Sequence, residues 1–207
     1  MNGLLPLGTA LLLGFIHALE IDHMMAVTAF VSRKPTLATA FGFGIRWGIG
    51  HSVAVFVAGA ILLATGLSWG PGMEAMLEGA VGVALIGVGI WSLRTARNLH
   101  LHHPGEHRAH SHAVTSLGVM HGLAGTSAVV ALLPVTLLPE PALGLAYLAC
   151  FGIGVTAGMA TFALVAAAAM KRAADRAPAA VERMAGWAGA GSIAIGLWWL
   201  GRVVLTG

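Results

Sequence analysis

The sequence predicts an all-α, polytopic membrane protein with six transmembrane helices in two inverted three-helix repeats. Three observations carry this expectation. Of 207 residues, 57% are apolar and 9% charged, and mean hydropathy is +0.86; an ordinary soluble domain has about 25% charged residues. No soluble fold hides that much apolar surface. Six apolar segments can be drawn, each close to the roughly 20 residues a helix needs to cross a bilayer. Short motifs of the first half also return in the second.

The first segment covers about 4–31 and ends at Ser32-Arg33-Lys34-Pro35. Its start, Met1-Asn2-Gly3-Leu4, lacks a basic stretch, and no small-x-small site closes its apolar run. It is therefore expected to be a retained helix and not a signal peptide. The second segment, 37–65, stops at the stretch from Gly66 to Gly72 with Trp69 and Pro71. The third, 74–93, is followed by a polar, histidine-rich loop over 94–113. Leu138-Pro139-Glu140-Pro141 separates the fourth, 114–138, from the fifth, 142–170, and residues 171–183 lead to the sixth, 184–205. This leaves one transmembrane domain over 1–207, with half-repeats of about 1–93 and 114–207.

Orientation follows from the basic residues. Arg33, Lys34, Arg94, Arg97, Arg108, Lys171, Arg172, Arg176 and Arg183 all fall in the first, third and fifth connections, whereas the second and fourth carry only Glu74, Glu78 and Glu140. The positive-inside rule makes the basic face cytoplasmic and puts both termini outside. Arg202, near the outer end of the last segment, is the mild exception. The basic pI of about 9.8 thus reflects loops against a lipid bilayer and not a nucleic-acid partner.

The repeat is read from three echoes: Gly14-Phe15-Ile16-His17 with Gly118-Val119-Met120-His121, Phe41-Gly42-Phe43-Gly44 with Phe151-Gly152-Ile153-Gly154, and Gly89-Ile90-Trp91 with Gly196-Leu197-Trp198. Three spans per half require halves of opposite orientation, a plan that places a substrate site at the midplane. The 29 glycines suit close helix packing in lipid.

Ionisable residues inside these segments are the candidate site. A charge at the bilayer centre costs about 2.5–3.5 kcal/mol on insertion scales, so such residues are rare and usually functional. The first segment holds His17-Ala18-Leu19-Glu20-Ile21-Asp22-His23, the second Arg46 and His51, and the fourth His121. On an ideal helix Glu20 lies about 60° from His17 and His23 about 60° beyond Glu20, while Asp22 points roughly opposite to His17. One straight helix cannot aim all four at one ion. Either it unwinds near the motif, or some members orient the ligands from behind. His17, Asp22 and His23 are expected to matter most, with His51 or His121 completing the set; imidazole and carboxylate suit Ni²⁺, Co²⁺ or Zn²⁺ alike. Arg46 cannot ligate a cation and is expected to pair with Glu20 or Asp22. His100, His102, His103, His107, His110 and His112 form a metal-capturing tract in the cytoplasmic loop. Met24, Met25 and Met120 are read as packing residues, as is Cys150, which as the single cysteine permits neither an internal disulfide nor a CxxC pair.

His17-x4-Asp22-His23 resembles the H-x4-D-H signature of the nickel/cobalt transporter superfamily, which includes the NiCoT, RcnA and NicO proteins. Trp47-Gly48-Ile49-Gly50-His51-Ser52 is similar to the glycine-histidine motif of that family's second conserved helix. The histidine-rich central loop and His121-Gly122-Leu123-Ala124-Gly125 look most like its UreH-like branch. The usual form is close to HALDADH; here Glu20 and Ile21 stand in the middle, which preserves one acidic group. The resemblance covers essentially the whole chain. It implies translocation of Ni²⁺ or Co²⁺ as substrate, with no prosthetic group, and a metal path through His17, Asp22, His23 and His51. The implied location is a bacterial-type plasma (inner) membrane, with nickel-enzyme assembly proteins as further partners. No GxxxxGK[ST] or HExxH occurs, so neither nucleotide-driven pumping nor zinc proteolysis is expected. The expected function is secondary transport rather than catalysis. The alternative is a non-transporting metal-binding membrane subunit for nickel delivery.

Overall fold

The computed structural model describes residues 4–32, 36–66, 71–97, 107–123, 135, 137–138 and 140–206. Among them every regular element is helical: α1 (Leu4–His17), α2 (Ile21–Val31), α3 (Leu37–Thr65), α4 (Pro71–Arg97), α5 (His107–Leu123), α6 (Pro141–Arg176) and α7 (Pro178–Thr206). Three stretches, over 37–65, 141–174 and 186–205, are long and apolar enough to cross a membrane, and α1 with α2 makes a fourth if the bent pair is one span. Large apolar side chains face outward along them. On α3, Ile49, Val53, Val57 and Ile61 form an exposed ridge at every fourth position, a surface suited to lipid.

The expected first segment is broken in two. Leu19 N–H bonds to the carbonyl of Ile16 and Glu20 N–H to that of His17, at 2.9 and 3.0 Å, which tightens the last turn of α1. Glu20 then turns extended (φ −64°, ψ 151°) and caps α2, and the two helices bend by 55°. The second segment coincides with α3, whose ends are chemically marked. Thr36 Oγ1 accepts from the backbone N–H of Thr39, and Gly66 takes the left-handed conformation (φ 67°) that closes the C-terminus.

Two boundaries differ from expectation. α5 begins at His107, so the end of the expected histidine-rich loop is helical. α6 runs on to Arg176, and only Ala177 separates it from α7. The charged residues Lys171, Arg172, Asp175 and Arg176 of the expected 171–183 connection are helical instead, because Lys, Arg and Ala are strong helix formers once the chain has left lipid. Pro178 ends the run, since the residue before proline is driven out of the α region; Ala177 is at φ −153°, ψ 72°.

Four helices, α1, α3, α5 and α6, pack into one group, with α3 against α5 and α6, and α1 against α6. α4 and α7 form a separate tight pair, and α2 leans chiefly on that pair. Glycine makes the closest approaches possible, and these come in reciprocal pairs. Gly14 lies on the backbone of Phe151, and Gly118 on that of Trp47. Gly154 meets Leu11 and Phe15, and Gly50 meets Thr115 and Val119. On the other pair, Gly82 meets Gly196 and Gly89 meets Gly189. Ser52 Oγ crosses from α3 to donate to the carbonyl of Gly152 at 2.8 Å, beside Thr156.

A side chain at Gly154 would strike backbone, whereas Gly8 has open space around it. Gly154→Leu should therefore destabilise the bundle by about 1–3 kcal/mol or more, and Gly8→Leu should leave it unchanged. Thermal unfolding of the two variants in detergent, followed by circular dichroism, checks this.

Candidate metal centre

The break after α1 brings the residues of the histidine motif together. With the chain redirected at Glu20, His17 at the end of α1 and Asp22 and His23 in the first turn of α2 come together. His17, Asp22 and His23 are all buried, with 2%, 8% and 1% exposure. Asp22 also sits at the N-terminus of α2, where the partial positive charge of the helix end favours a carboxylate. His51 enters from the middle of α3 and His121 from the last turn of α5, both buried.

The imidazoles form one cluster. The ring of His23 lies 4.9 Å from His17, 5.3 Å from His51 and 4.8 Å from His121, centroid to centroid, and His17 lies 5.2 Å from His51. The carboxylates hold them. Glu20 Oε1 accepts from His17 Nδ1 at 2.9 Å. Asp22 Oδ1 accepts from both the backbone N–H (2.9 Å) and Nδ1 (3.0 Å) of His23, and Asp22 Oδ2 accepts from His121 Nε2 at 3.3 Å. A neutral imidazole that donates through Nδ1 presents a bare Nε2. His17 Nε2, His23 Nε2 and both nitrogens of His51 are buried with no hydrogen-bond partner among the described residues. Leaving such groups unsatisfied costs about 1–3 kcal/mol each, so their retention needs a reason.

A divalent cation bound at these nitrogens would remove that cost. Two sets of donors, His17/His23/His51 and Asp22/His23/His121, each bring their ligand atoms within 4.8 Å of one another. Bonds of roughly 2.0–2.2 Å to nitrogen and oxygen need only a modest contraction of either set. Carboxylate-to-imidazole hydrogen bonds that fix the tautomer are the usual outer support of such ligands. Glu20 makes a hydrogen bond of this kind to His17.

Arg46 is a correction. It makes no ion pair with Glu20 or Asp22; its side chain is exposed, and its guanidinium folds back along α3 beside Gly42. Five residues separate it from His51, a rotation of about 140° on the helix, so His51 faces the cluster and Arg46 faces away. His107, His110 and His112 lie on the first turns of α5, while His100, His102 and His103 lie outside the described residues.

Sequence reasoning missed two surroundings. A cavity of about 540 Å³ opens onto Glu20 and Asp22 and is lined on its other side by Trp198, Trp199 and Arg202 of α7. Arg202 contacts Glu78 at 3.5 Å and stands 5.4 and 5.2 Å from the ring centroids of Trp198 and Trp199. Its position near a helix end was the available signal. Aromatic rings also extend away from the cluster: Trp47 lies 5.4 Å from His121, Phe43 5.3 Å from Trp47, and Phe30 stacks on Phe43 at 4.0 Å and on Trp91 at 5.9 Å.

No family model matches the chain, and no solved structure matches it. Two curated proteins are similar. "Urease accessory protein UreH" of Bacillus sp. (strain TB-90) is 30% identical over 162 residues, covering 72% of this chain and 71% of that protein. A protein of Methanocaldococcus jannaschii named "Putative nickel/cobalt efflux system" is 32% identical over 162 residues, covering 75% of this chain and 73% of that protein. Neither name is that of an enzyme.

The geometry separates two acidic-site expectations. Glu20→Gln should weaken Ni²⁺ binding by about 10–100-fold through His17, while Arg46→Ala should leave it within about twofold. Isothermal titration of the purified variants with Ni²⁺ reads both.

Proposed function

We propose a function from this premise: the chain belongs to the nickel/cobalt transporter family, in its UreH-like branch. The protein is a secondary transporter that moves Ni²⁺ or Co²⁺ across the membrane through the His/Asp cluster. The observation that carries this reading is the set of bare, buried imidazole nitrogens at the junction of α1, α2 and α3, backed by two carboxylates. Imidazole with carboxylate suits borderline divalent ions, and the name of the archaeal relative specifies nickel and cobalt.

The proposed architecture is six spans in two inverted halves, with α4 and α5 crossing alongside the four candidate spans. The reciprocal glycine contacts support it. Trp47 with Gly118 answers Phe151 with Gly14, and Gly50 with Thr115 answers Gly154 with Leu11, each residue displaced by the 104 positions that separate Ser52 from Thr156. That register agrees with the Gly14–His17 and Gly118–His121 echo. It does not agree with the pairing of Phe41–Gly44 with Phe151–Gly154 or of Gly89–Trp91 with Gly196–Trp198, which are offset by 110 and 107 positions and reflect glycine spacing common to close-packed helices. Exposed Lys171, Arg172, Arg176 and Arg183 at the α6–α7 joint support a cytoplasmic location for that end, with both termini outside. The histidine tract of 94–113 then gathers metal at the inner face.

A second reading is favoured by the Bacillus relative, whose name is that of an accessory protein. In it the chain binds nickel and hands it to an assembly partner without moving it across the bilayer. Reconstitution of the purified protein in liposomes with an internal metal dye decides between them. Saturable Ni²⁺ or Co²⁺ flux, reduced at least about 100-fold by both His17→Ala and Asp22→Asn, is expected of the transporter. Metal binding without flux in well-folded wild-type protein would overturn it in favour of the accessory subunit.

A further inference from the structure

The donors of the cluster do not form one ring. They form two overlapping sets, and His23 belongs to both. A neutral imidazole has one bare nitrogen, so His23 can complete only one set at a time. Two divalent ions a few ångströms apart in a bundle of low dielectric would also repel each other strongly. The two sets are therefore filled in alternation.

They differ in chemistry and in access. His17, His23 and His51 offer nitrogen alone, which suits Ni²⁺, Co²⁺ or Zn²⁺ and is a poor match for Mg²⁺ or Ca²⁺, which take oxygen ligands. Asp22, His23 and His121 include a carboxylate and so discriminate less. Asp22 lines the cavity beside Trp198, Trp199 and Arg202, whereas none of the four histidines does, so access differs between the sets through Asp22 alone. Each set bridges the same two parts of the fold. His17, His51 and His121 belong to α1, α3 and α5 of the four-helix group; His23 and Asp22 ride on α2, which leans on α4 and α7.

Resting on the metal-carrying function proposed above, we infer that the protein holds one ion in two alternative positions, with His23 as the ligand that hands it over. The ion is received at the cavity by Asp22, which lines it, and is held there with His121 and His23 behind. It then passes, still on His23, to His17 and His51, where the all-imidazole set rejects hard cations. His51 is thus the residue that confers selectivity, and His23 the one that connects the two positions.

Co²⁺ tests this directly, because its visible absorption bands report the number and kind of donors. The metal-free full chain is titrated with Co²⁺ in detergent beside His51→Ala, His121→Ala, His23→Ala and the double variant His51→Ala/His121→Ala. Wild type should bind one Co²⁺ per chain. His51→Ala should keep one Co²⁺ in an oxygen-containing set, about 100-fold more weakly, and millimolar Mg²⁺ should displace it. His121→Ala should keep one in a nitrogen-only set that Mg²⁺ does not disturb. His23→Ala and the double variant should lose binding; the double variant retains His23 and gives the same reading should His23→Ala fail to fold. The inference is overturned if either single His51 or His121 variant abolishes binding, if wild type binds two ions, or if Mg²⁺ competes equally in both single variants. Flux is scored separately. The two-position pattern without flux would sink the transport reading and leave the positions standing, while flux with one composite site would do the reverse.

Discussion

The constraint on which the rest of the structure depends is the burial of four imidazoles and a carboxylate inside an apolar bundle. Burial at this depth costs a polar group dearly unless it is hydrogen-bonded, and most of the partners come from within the cluster. Asp22 does most of this, accepting from the backbone and ring of His23 and from His121. Glu20 does it for His17. Because each carboxylate takes a proton-bearing nitrogen, the opposite nitrogen of His17 and His23 is left bare and turned inward. Satisfaction of the carboxylates and preparation of the metal ligands are one arrangement.

The broken first helix follows from that requirement. Helical periodicity alone said that His17 and Asp22 diverge on a straight helix, and it left two ways out. The fold takes the first: the helix breaks between His17 and Ile21, and Glu20 hydrogen-bonds His17 across the break. The motif residues were therefore legible, and so was the conflict among them. What was not legible was the tertiary pairing. His121 meets Asp22 across 99 positions of sequence, and no local pattern distinguishes that contact from one with His51. The misreading of Arg46 has the same origin. A cation near two acids suggests an ion pair, but the rotation between positions 46 and 51 on α3 puts it on the wrong face.

Small residues let the site exist at all. The approach of α1 to α6 and of α3 to α5 runs through glycine against bare backbone, which brings histidines from three helices within ligand distance. The abundance of glycine announced close packing from the sequence, and the helical class followed from composition. Register and boundaries were harder. Repeated glycines align at more than one offset, and charged residues at a helix end look like a loop until the helix-forming tendency of Lys, Arg and Ala is weighed against them.

The joint at Ala177 has a mechanical meaning. α6 belongs to the four-helix group and α7 to the pair with α4, and a single residue links them. One residue supplies two soft torsions, and here the following proline narrows them further. The two groups therefore meet at a one-residue joint here, and the connection from α3 to α4 ties them again at the opposite end. Arg202 lies about 36 Å along α7 from Pro178 at 1.5 Å per residue, so a tilt of about 10° would sweep it through roughly 6 Å. A tilt of α7 about Ala177 would thus displace the wall of the cavity beside Asp22, at Trp198 and Arg202, far more than the basic joint itself.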